Sequence, residues 1–374
     1  MGPSQKGKVP MKKVMALALI FAVLASGASQ GAEWYEKIKL GGDFRDRYDG
    51  IQDESKDYDR HRNRIRARLS LKASITEDFT FISRFATGIN DPASTNRTLT
   101  GAFTTKEFWL DLAYFDFHPV KAPGLHIYGG KMKNSIYKPA KNQLVWDGDV
   151  NPEGIAVNFG RDVSEKVSYF LTGSWYTVME QKSDQDIYML GVQGGLKIKT
   201  SDKTHVAFGT NYFGYQNIKG SEALFDGFFF GNTSVDDDGT DVFANDYMLV
   251  EGFGEFGFKT GKASWTVYGS YVNNTAADSL KTGYIAGLGV KGGKDRGAWK
   301  LNGFYKWIEA DGVIGLFADS DFGGGTTDVK GYAISGGYAI AKNVELASTI
   351  FVNTRGVENG TDFTRLFFDL KMKF

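Results

Sequence analysis

Hydrophobic and polar residues alternate with a period of two along much of the chain, most clearly in its last ten positions. The even-numbered positions from Leu366 to Phe374 are all apolar, whereas four of the five odd-numbered positions from Arg365 to Lys373 are charged. A β-strand places successive side chains on opposite faces, whereas a helix would mix these two sets. This segment is therefore predicted to be a strand with one apolar and one polar face.

Similar alternation recurs in sixteen segments, which is the pattern of an all-β chain. Most of them have about the 9–11 residues that a tilted strand needs to cross a bilayer. None of the seven prolines falls inside a predicted strand, where it would remove a ladder hydrogen bond. The predicted strands are 38–48, 61–75, 79–87, 108–118, 125–133, 154–160, 166–178, 186–199, 204–215, 247–258, 263–272, 282–291, 298–308, 331–340, 344–352 and 362–374.

The connections between the predicted strands alternate between short turns and longer loops. The longest loops are 49–60, 88–107, 134–153, 216–246 and 309–330. Antiparallel membrane barrels have this layout, with short periplasmic turns and long extracellular loops. The sequence therefore predicts an all-β fold, a transmembrane antiparallel up-and-down β-barrel of about 16 strands. The count depends on segments 154–160 and 216–246, which have the weakest patterns.

Aromatic residues are concentrated near the ends of the apolar faces. Trp299 and Trp307 flank Leu301 on one predicted strand, and Tyr332 and Tyr338 lie near the two ends of another. A lipid-facing band with aromatic girdles has this arrangement. A soluble β-sandwich is the alternative, but its charged face would point outward and its aromatic residues would not gather at strand ends. The pattern favours the barrel.

The N-terminal residues have the features of an export signal. Lys12 and Lys13 precede the apolar run 14–25, and small residues follow as far as Ala32. Such a segment is removed on export rather than kept as a membrane helix. We therefore predict a leader and cleaved signal peptide at 1–32, with cleavage after Ala28 or Ala32. The outer-membrane β-barrel would occupy 33–374, exported through the periplasm to the cell outer membrane.

Charge and cysteine content exclude several classes of function. The chain has 44 basic and 44 acidic residues, and four of the basic residues lie in the leader, which leaves a slightly acidic mature protein. A general nucleic-acid binder would instead be basic. Without cysteine there are no disulfides, thiolate metal sites or covalently attached haem. We expect no cofactor and no metal site.

The second predicted strand carries the strongest local signal. Arg62, Arg64, Arg66 and Arg68 occupy alternate positions and therefore lie about 6.7 Å apart on one face. An arginine near the bilayer midplane costs about 2–4 kcal/mol when it faces lipid, so these residues are predicted to line the lumen. Neighbouring strands add Arg45, Arg47 and Arg84 to the same wall.

Two interpretations of this basic stripe remain open. The arginines would satisfy a polar wall through ion pairs with inward acids, or they would attract anions that pass through the lumen. The predicted inward positions contain fifteen basic and six acidic residues. This imbalance predicts a modest preference for anions.

Two segments resemble known families. The last strand resembles the closing strand of bacterial outer-membrane barrels, which implies that Phe368, Leu370, Met372 and Phe374 form the signal read by the barrel-assembly machinery. The run Trp146-Asp147-Gly148-Asp149-Val150-Asn151-Pro152-Glu153-Gly154, with the arginine-rich strand, resembles the bacterial "putative porin" family. In general porins the third loop folds into the barrel. This resemblance implies that Asp147, Asp149 and Glu153 oppose Arg45, Arg62, Arg64, Arg66 and Arg84, unless the loop is an ordinary external one.

The resemblance implies a Gram-negative outer-membrane porin, a water-filled channel for passive diffusion of small hydrophilic solutes and ions. The alternatives are a solute-selective channel of the anion or phosphate type and a barrel that serves as scaffold or sheath for an extracellular partner. An enzymatic barrel is not expected, since His61 beside Asp57 and Asp59 has no accompanying nucleophile. Expected partners are outer-membrane lipid, small ions and solutes and, by analogy with general porins, two further copies in a homotrimer.

Overall fold

The computed structural model describes residues 35–374 and consists almost entirely of β-strands. The strands are β1 Ile38–Asp53, β2 Arg60–Ser74, β3 Phe79–Thr87, β4 Arg97–Thr98, β5 Phe108–Phe117, β6 Leu125–Lys131, β7 Glu153–Asp162, β8 Val167–Met179, β9 Ile187–Ser201, β10 Thr204–Gln216, β11 Ser234–Asp237, β12 Thr240–Phe243, β13 Met248–Thr260, β14 Ala263–Asn274, β15 Thr282–Gly292, β16 Trp299–Ile308, β17 Val329–Ala341, β18 Val344–Arg355 and β19 Thr361–Lys373. Short 3₁₀ turns cover Tyr35–Lys37, Pro139–Lys141, Gly315–Phe317 and Phe322–Gly324.

Sixteen of these strands form one closed antiparallel barrel, in which each strand pairs with its neighbours in the chain. The ring closes where β19 pairs with β1, from Asp43 opposite Lys373 to Asp53 opposite Phe363. The predicted fold class and strand count are therefore confirmed. Most predicted strand ends agree with the structure within two or three residues, but β1 continues five residues beyond its predicted end.

The connections alternate between two rims, as predicted. Turns such as 75–78, 202–203 and 342–343 lie at one end of the barrel, which we call the short-turn rim, and the long loops lie at the other. Short strands outside the barrel lie in two of the loops. β4 adds to β2, and β11 and β12 form a separate hairpin.

The outer surface is apolar at the predicted positions. On β17, Tyr332, Ile334 and Tyr338 are more than half exposed, and on β16 Trp299 and Leu301 are also exposed. Their exposure fits a surface that contacts lipid. In residues 35–374, no helix is long and apolar enough to cross a membrane. The predicted signal peptide at 1–32 lies outside the described residues.

Three long loops fold inward and fill part of the barrel. We call them loop A (88–107), loop B (132–152) and loop C (309–328). Leu144, Trp146 and Ile314 are buried together with inward residues of the wall from β8 to β16, such as Phe213 and Leu249. The interior of the barrel therefore has a dry side, packed like a protein core, and a charged side built by β19, β1, β2, β3 and β5.

Aromatic contacts show how closely loops B and C pack. The ring of Trp146 stacks on Phe317 of loop C with centroids 5.5 Å apart, and its edge meets Phe213 of β10 at 5.8 Å. The backbone N–H of Asp147 donates to the carbonyl oxygen of Phe317 at 2.7 Å. Loop B is therefore an inward loop, and the alternative of an ordinary external loop is wrong.

Candidate functional site: the arginine wall

The charged side of the barrel is built by the register between β1 and β2. Arg45 stands opposite Arg66 and Arg47 opposite Arg64, whereas Asp43 pairs with Arg68 and Asp49 with Arg62. Like charges on opposed strand positions repel each other. Two arginine pairs are tolerated here because an acid–arginine pair flanks them on each side. We call Arg45, Arg47, Arg62, Arg64, Arg66, Arg68, Arg84 and Arg365 the arginine wall.

Asp49 is the central carboxylate of this wall. It is fully buried and contacts Arg62, lies 3.6 Å from Arg64 and accepts two hydrogen bonds of 3.0 Å from Arg365 of β19. The sequence prediction missed this residue because it ended the first strand at 48. Since Asp43, Arg45 and Arg47 already alternate, extending the period by one step would have placed Asp49 in the lumen.

The other strand carboxylates each hold particular arginines. Asp43 bridges Arg66 at 2.8 Å and Arg68 at 2.7 Å. Asp369 accepts bonds of 2.6 and 2.9 Å from Arg47, whose guanidinium also lies 3.7 Å above the ring of Phe367. Arg84 pairs with Asp111 on the next strand. The predicted arginines therefore share one lumen face; Arg45 donates to the side chain of Asn96 in loop A, and the others are held there by ion pairs.

Two loop acids face this wall, and only one of them, Asp149, was among the acids predicted to do so. Asp149 of loop B lies 3.4 Å from Arg68 and 3.9 Å from Arg66. Asp321 of loop C lies 3.4 Å from Arg47 and 3.2 Å from Arg365, although nothing in the sequence pattern singled it out. Burial acts to raise the pKa of Asp321, but the surrounding arginines hold it well below its usual value.

Asp147 and Glu153 depart from the expected contacts. The side chain of Asp147 accepts hydrogen bonds from the backbone N–H groups of Ser320 at 2.8 Å and Asp149 at 2.7 Å, and within residues 35–374 it forms no ion pair with an arginine. Burial, together with Asp319 and Asp149, raises the pKa of Asp147 to about 8.

Glu153 begins β7 and pairs with Lys131 at 2.8 Å, away from the arginines. The prediction that it opposes the basic wall is therefore wrong, because a strand begins there and directs its side chain elsewhere.

Two cavities adjoin the arginine wall and meet at loop C. The outer cavity has a volume of about 600 Å³ and is lined by Arg60, Arg62, Arg64, Arg355 and Arg365 among others. The inner cavity has a volume of about 340 Å³ and is lined by Arg45, Arg66, Arg68, Arg84, Asp147 and Asp149 among others. Ser320 and Asp321 line both cavities, so they mark the narrow region between them.

Ser320 joins the three inward loops at this narrow region. Its N–H donates to Asp147 of loop B, and its hydroxyl donates to the carbonyl oxygen of Ala93 in loop A at 3.0 Å. Beneath it, the buried Lys306 of β16 lies 3.2 Å from Asp319. The acids of loops B and C are therefore held in place against the arginines.

The remaining predicted residues lie outside this region. Phe368 and Phe374 are exposed on the outer surface, while Leu370 and Met372 share that face and are partly covered. His61 accepts or donates a 2.7 Å hydrogen bond with Tyr48 at the loop end of the barrel, not with the aspartates that follow β1.

A closed sixteen-strand barrel with an apolar outer face and a charged, loop-narrowed interior defines a membrane-spanning β-barrel channel. The chain belongs to the family described as "Putative porin", which matches residues 51–246 and 246–374. The family and the fold make it an outer-membrane β-barrel protein of the channel type.

Solved structures share this fold at low sequence identity. The high-pH structure of OprB from Pseudomonas putida is 9% identical, with a TM-score of 0.59 over 93% of this chain and 97% of that one. A multiply substituted porin from Rhodopseudomonas blastica is 12% identical, with a TM-score of 0.50 over 90% of this chain and 100% of that one. A search of curated proteins found no match to the sequence. At these identities the likeness extends to the fold alone.

Proposed function

We propose that the protein is a passive diffusion channel for small hydrophilic solutes and ions, with a modest preference for anions. The observation that carries the proposal is the layering of charge in the arginine wall. Arg62, Arg64, Arg66 and Arg68 keep 11–17% of their side-chain surface exposed, whereas Asp49 and Asp369 beneath the wall keep at most 1%. An ion in the lumen therefore meets guanidinium groups before it meets these carboxylates.

The charge balance of the cavity linings also supports a preference for anions. The outer and inner cavities are lined by eleven basic and five acidic side chains. Arg47 and the acids at positions 43, 49, 111 and 369 are not part of these linings, although Asp43 is as exposed as Arg66 and Arg68, and with them the excess of basic groups falls to three. Near neutral pH, a pKa of about 8 keeps Asp147 largely uncharged, which removes one negative charge from the inner cavity. A small positive excess fits a modest preference, not strict selection.

Single-channel recording in a planar bilayer with a salt gradient tests this proposal. We expect discrete conductance steps and a reversal potential on the anion-selective side. Absence of conductance from a correctly folded protein would refute the channel, and a cation-selective reversal potential would refute the preference for anions.

A narrower solute-selective channel is the second candidate, and one observation favours it. Loops B and C fill the side of the barrel from β8 to β16 with a dry core, so the path past these loops lies on the side of the arginine wall, although a further cavity opens beside β9, β10 and β13 to β15 at the short-turn rim. Liposome-swelling rates would separate the two candidates. A general diffusion channel passes neutral sugars and anions of equal size at similar rates, whereas a solute-selective one passes a single anion class much faster.

The homotrimer expected by analogy remains part of the proposal. Chemical cross-linking of the barrel in native outer membranes would test it, with a band at three times the monomer mass as the expected result.

A further inference from the structure

Two histidines and an aspartate come together on the hairpin formed by β5 and β6, at the short-turn rim. Asp116 is the penultimate residue of β5, and His126 is the second residue of β6. Phe117 pairs with Ile127, so His118 and His126 stand opposite each other one step further along the hairpin. Residues two apart on a strand share a face, which places Asp116 on the same face as both histidines.

This face looks into the barrel. The alternate residues Phe115 and Phe117 belong to the outer surface, where Phe115 is exposed and Phe117 packs its ring 4.6 Å from the ring of exposed Phe79. Asp116 and the two histidines therefore line the mouth of the lumen. Strand alternation alone would have shown this, but it would not have shown how close the three side chains are.

The distances suit one metal ion. The Oδ1 atom of Asp116 lies 2.9 Å from Nδ1 of His126 and 3.6 Å from Nδ1 of His118. One ligand atom from each of the three residues lies within 4.8 Å of the other two. Two tetrahedral zinc ligands, each about 2.0–2.2 Å from the ion, are about 3.3–3.6 Å apart. The observed separations bracket that spacing, so small side-chain rotations would bring all three groups to one ion.

The charges around Asp116 also favour a cation. Across residues 35–374, its only ion-pair partners are His118 and His126, whereas the carboxylates of the arginine wall are held by arginine. On the other side of His126, the opposed residue is Asn158 of β7, whose buried side-chain oxygen has no hydrogen-bond partner among the described residues. An amide oxygen without a hydrogen-bond partner in residues 35–374 therefore lies on the strand position next to His126.

Asp78, in the turn between β2 and β3, fixes the backbone around His118. The N–H of His118 donates to the carbonyl oxygen of Asp78 at 2.8 Å, and the N–H of Val120 donates to the carboxylate of Asp78 at 2.7 Å. Nδ1 of His118 also lies 3.1 Å from the carbonyl oxygen of Asp116. Because this is the same nitrogen that approaches Oδ1 of Asp116, an ion bound through it would replace the contact with the carbonyl oxygen.

We propose that Asp116, His118 and His126 form a binding site for one divalent transition-metal ion of the Zn²⁺ type, in the lumen at the short-turn rim. Imidazole and carboxylate ligands suit Zn²⁺ and its neighbours in the first transition series. Three protein ligands leave at least one coordination position open to water in the lumen. The site shares no residue with the arginine wall.

Isothermal titration of the refolded, detergent-solubilised barrel with Zn²⁺ tests the site, using a protein purified without a histidine tag. We expect one ion per chain. His126→Gln and Asp116→Asn should each weaken binding by more than about 100-fold, beyond the roughly 10–100-fold that the loss of an outer partner of a ligand costs. Co²⁺ should give visible absorption bands of a tetrahedral site in the unmodified protein and lose them in both variants.

His205→Gln is the matched control. His205 lies at the same rim and also faces a carboxylate, Glu255, at 3.7 Å, but it has no second histidine beside it. Its replacement should leave the Zn²⁺ affinity unchanged. Absence of saturable Zn²⁺ binding, or an equal loss in the control and in His126→Gln, would overturn the proposal. Heat-modifiable electrophoretic migration shows whether each variant is folded. If a histidine variant fails to fold, Asp116→Asn still tests the site, because asparagine has the same shape as aspartate.

Discussion

Replacing Arg64 by glutamine offers the sharpest test of the arginine wall. Arg64 lines the outer cavity, and its nearest carboxylate oxygen, on Asp49, is 3.6 Å away. Asp49 keeps its bonds to Arg62 and Arg365 in the variant, so the wall stays connected. The substitution therefore removes one positive charge from the lumen and changes little else.

The size of the effect follows from Coulomb's law. A unit charge acts on an ion about 6 Å away, in water, with an energy of about 0.7 kcal/mol. At 0.1 M salt, screening over a Debye length of about 10 Å reduces this energy to about 0.4 kcal/mol. The anion loses this attraction while the cation is relieved of an equal repulsion. The anion-to-cation permeability ratio should therefore fall by about fourfold, since about 1.4 kcal/mol corresponds to a factor of ten.

The measurement is the reversal potential of single channels under a salt gradient, at low and at high ionic strength. The shift should nearly vanish at about 1 M salt, where the Debye length is about 3 Å. The matched control is the double variant Arg84→Gln with Asp111→Asn, which removes an ion pair without changing net charge. An unchanged ratio for Arg64→Gln at low salt, or an equal shift in the control, would refute the reasoning.

Three further predictions concern the groups around this wall. Because burial raises the pKa of Asp147 to about 8, the side chain is mostly neutral at about pH 6 and ionised at about pH 10. The anion preference measured from reversal potentials should therefore fall as pH rises through this range. Asp147→Asn should abolish this pH dependence. Asp49→Ala removes the buried carboxylate that the buried Arg365 shares with the partly exposed Arg62 and Arg64, and should lower the free energy of unfolding by about 3–5 kcal/mol in urea titrations. Asp57→Ala in an exposed loop should leave it unchanged. Leu144→Ala removes a fully buried side chain of loop B and should lower the free energy of unfolding by about 2–5 kcal/mol. The loosened loop should raise single-channel conductance. An unchanged conductance would mean that the dry core does not set the width of the water path.

The strands and the position of the arginines could be predicted from the chain because they depend on local alternation. Turning the arginines of β2 toward lipid would cost too much free energy, so the sequence alone indicates that their face of the strand points into the lumen. Asp49 belonged to the same period and was missed only because β1 was ended too early. Glu153 was misplaced for the opposite reason, since a loop was extended over the first residue of β7.

Contacts between distant segments could not be predicted in this way. Asp321 reaches Arg47 across 274 positions of the chain, and Ser320 contacts Asp147 across 173. Residues of the three inward loops follow no period from which their contacts with the wall could be predicted, and nothing in the pattern indicates that their apolar side chains are buried. Their burial depends on the space that the closed barrel leaves inside it.

The amino-acid sequence by itself therefore determined the barrel, the face that each strand presents to lipid and the basic character of the lumen, because each follows from side chains one or two positions apart. Tertiary structure alone decided which acids neutralise which arginines, how far the inward loops narrow the passage and how His118 and His126 meet Asp116. These features depend on strand register and on loop packing, which bring together groups that the linear pattern leaves unrelated.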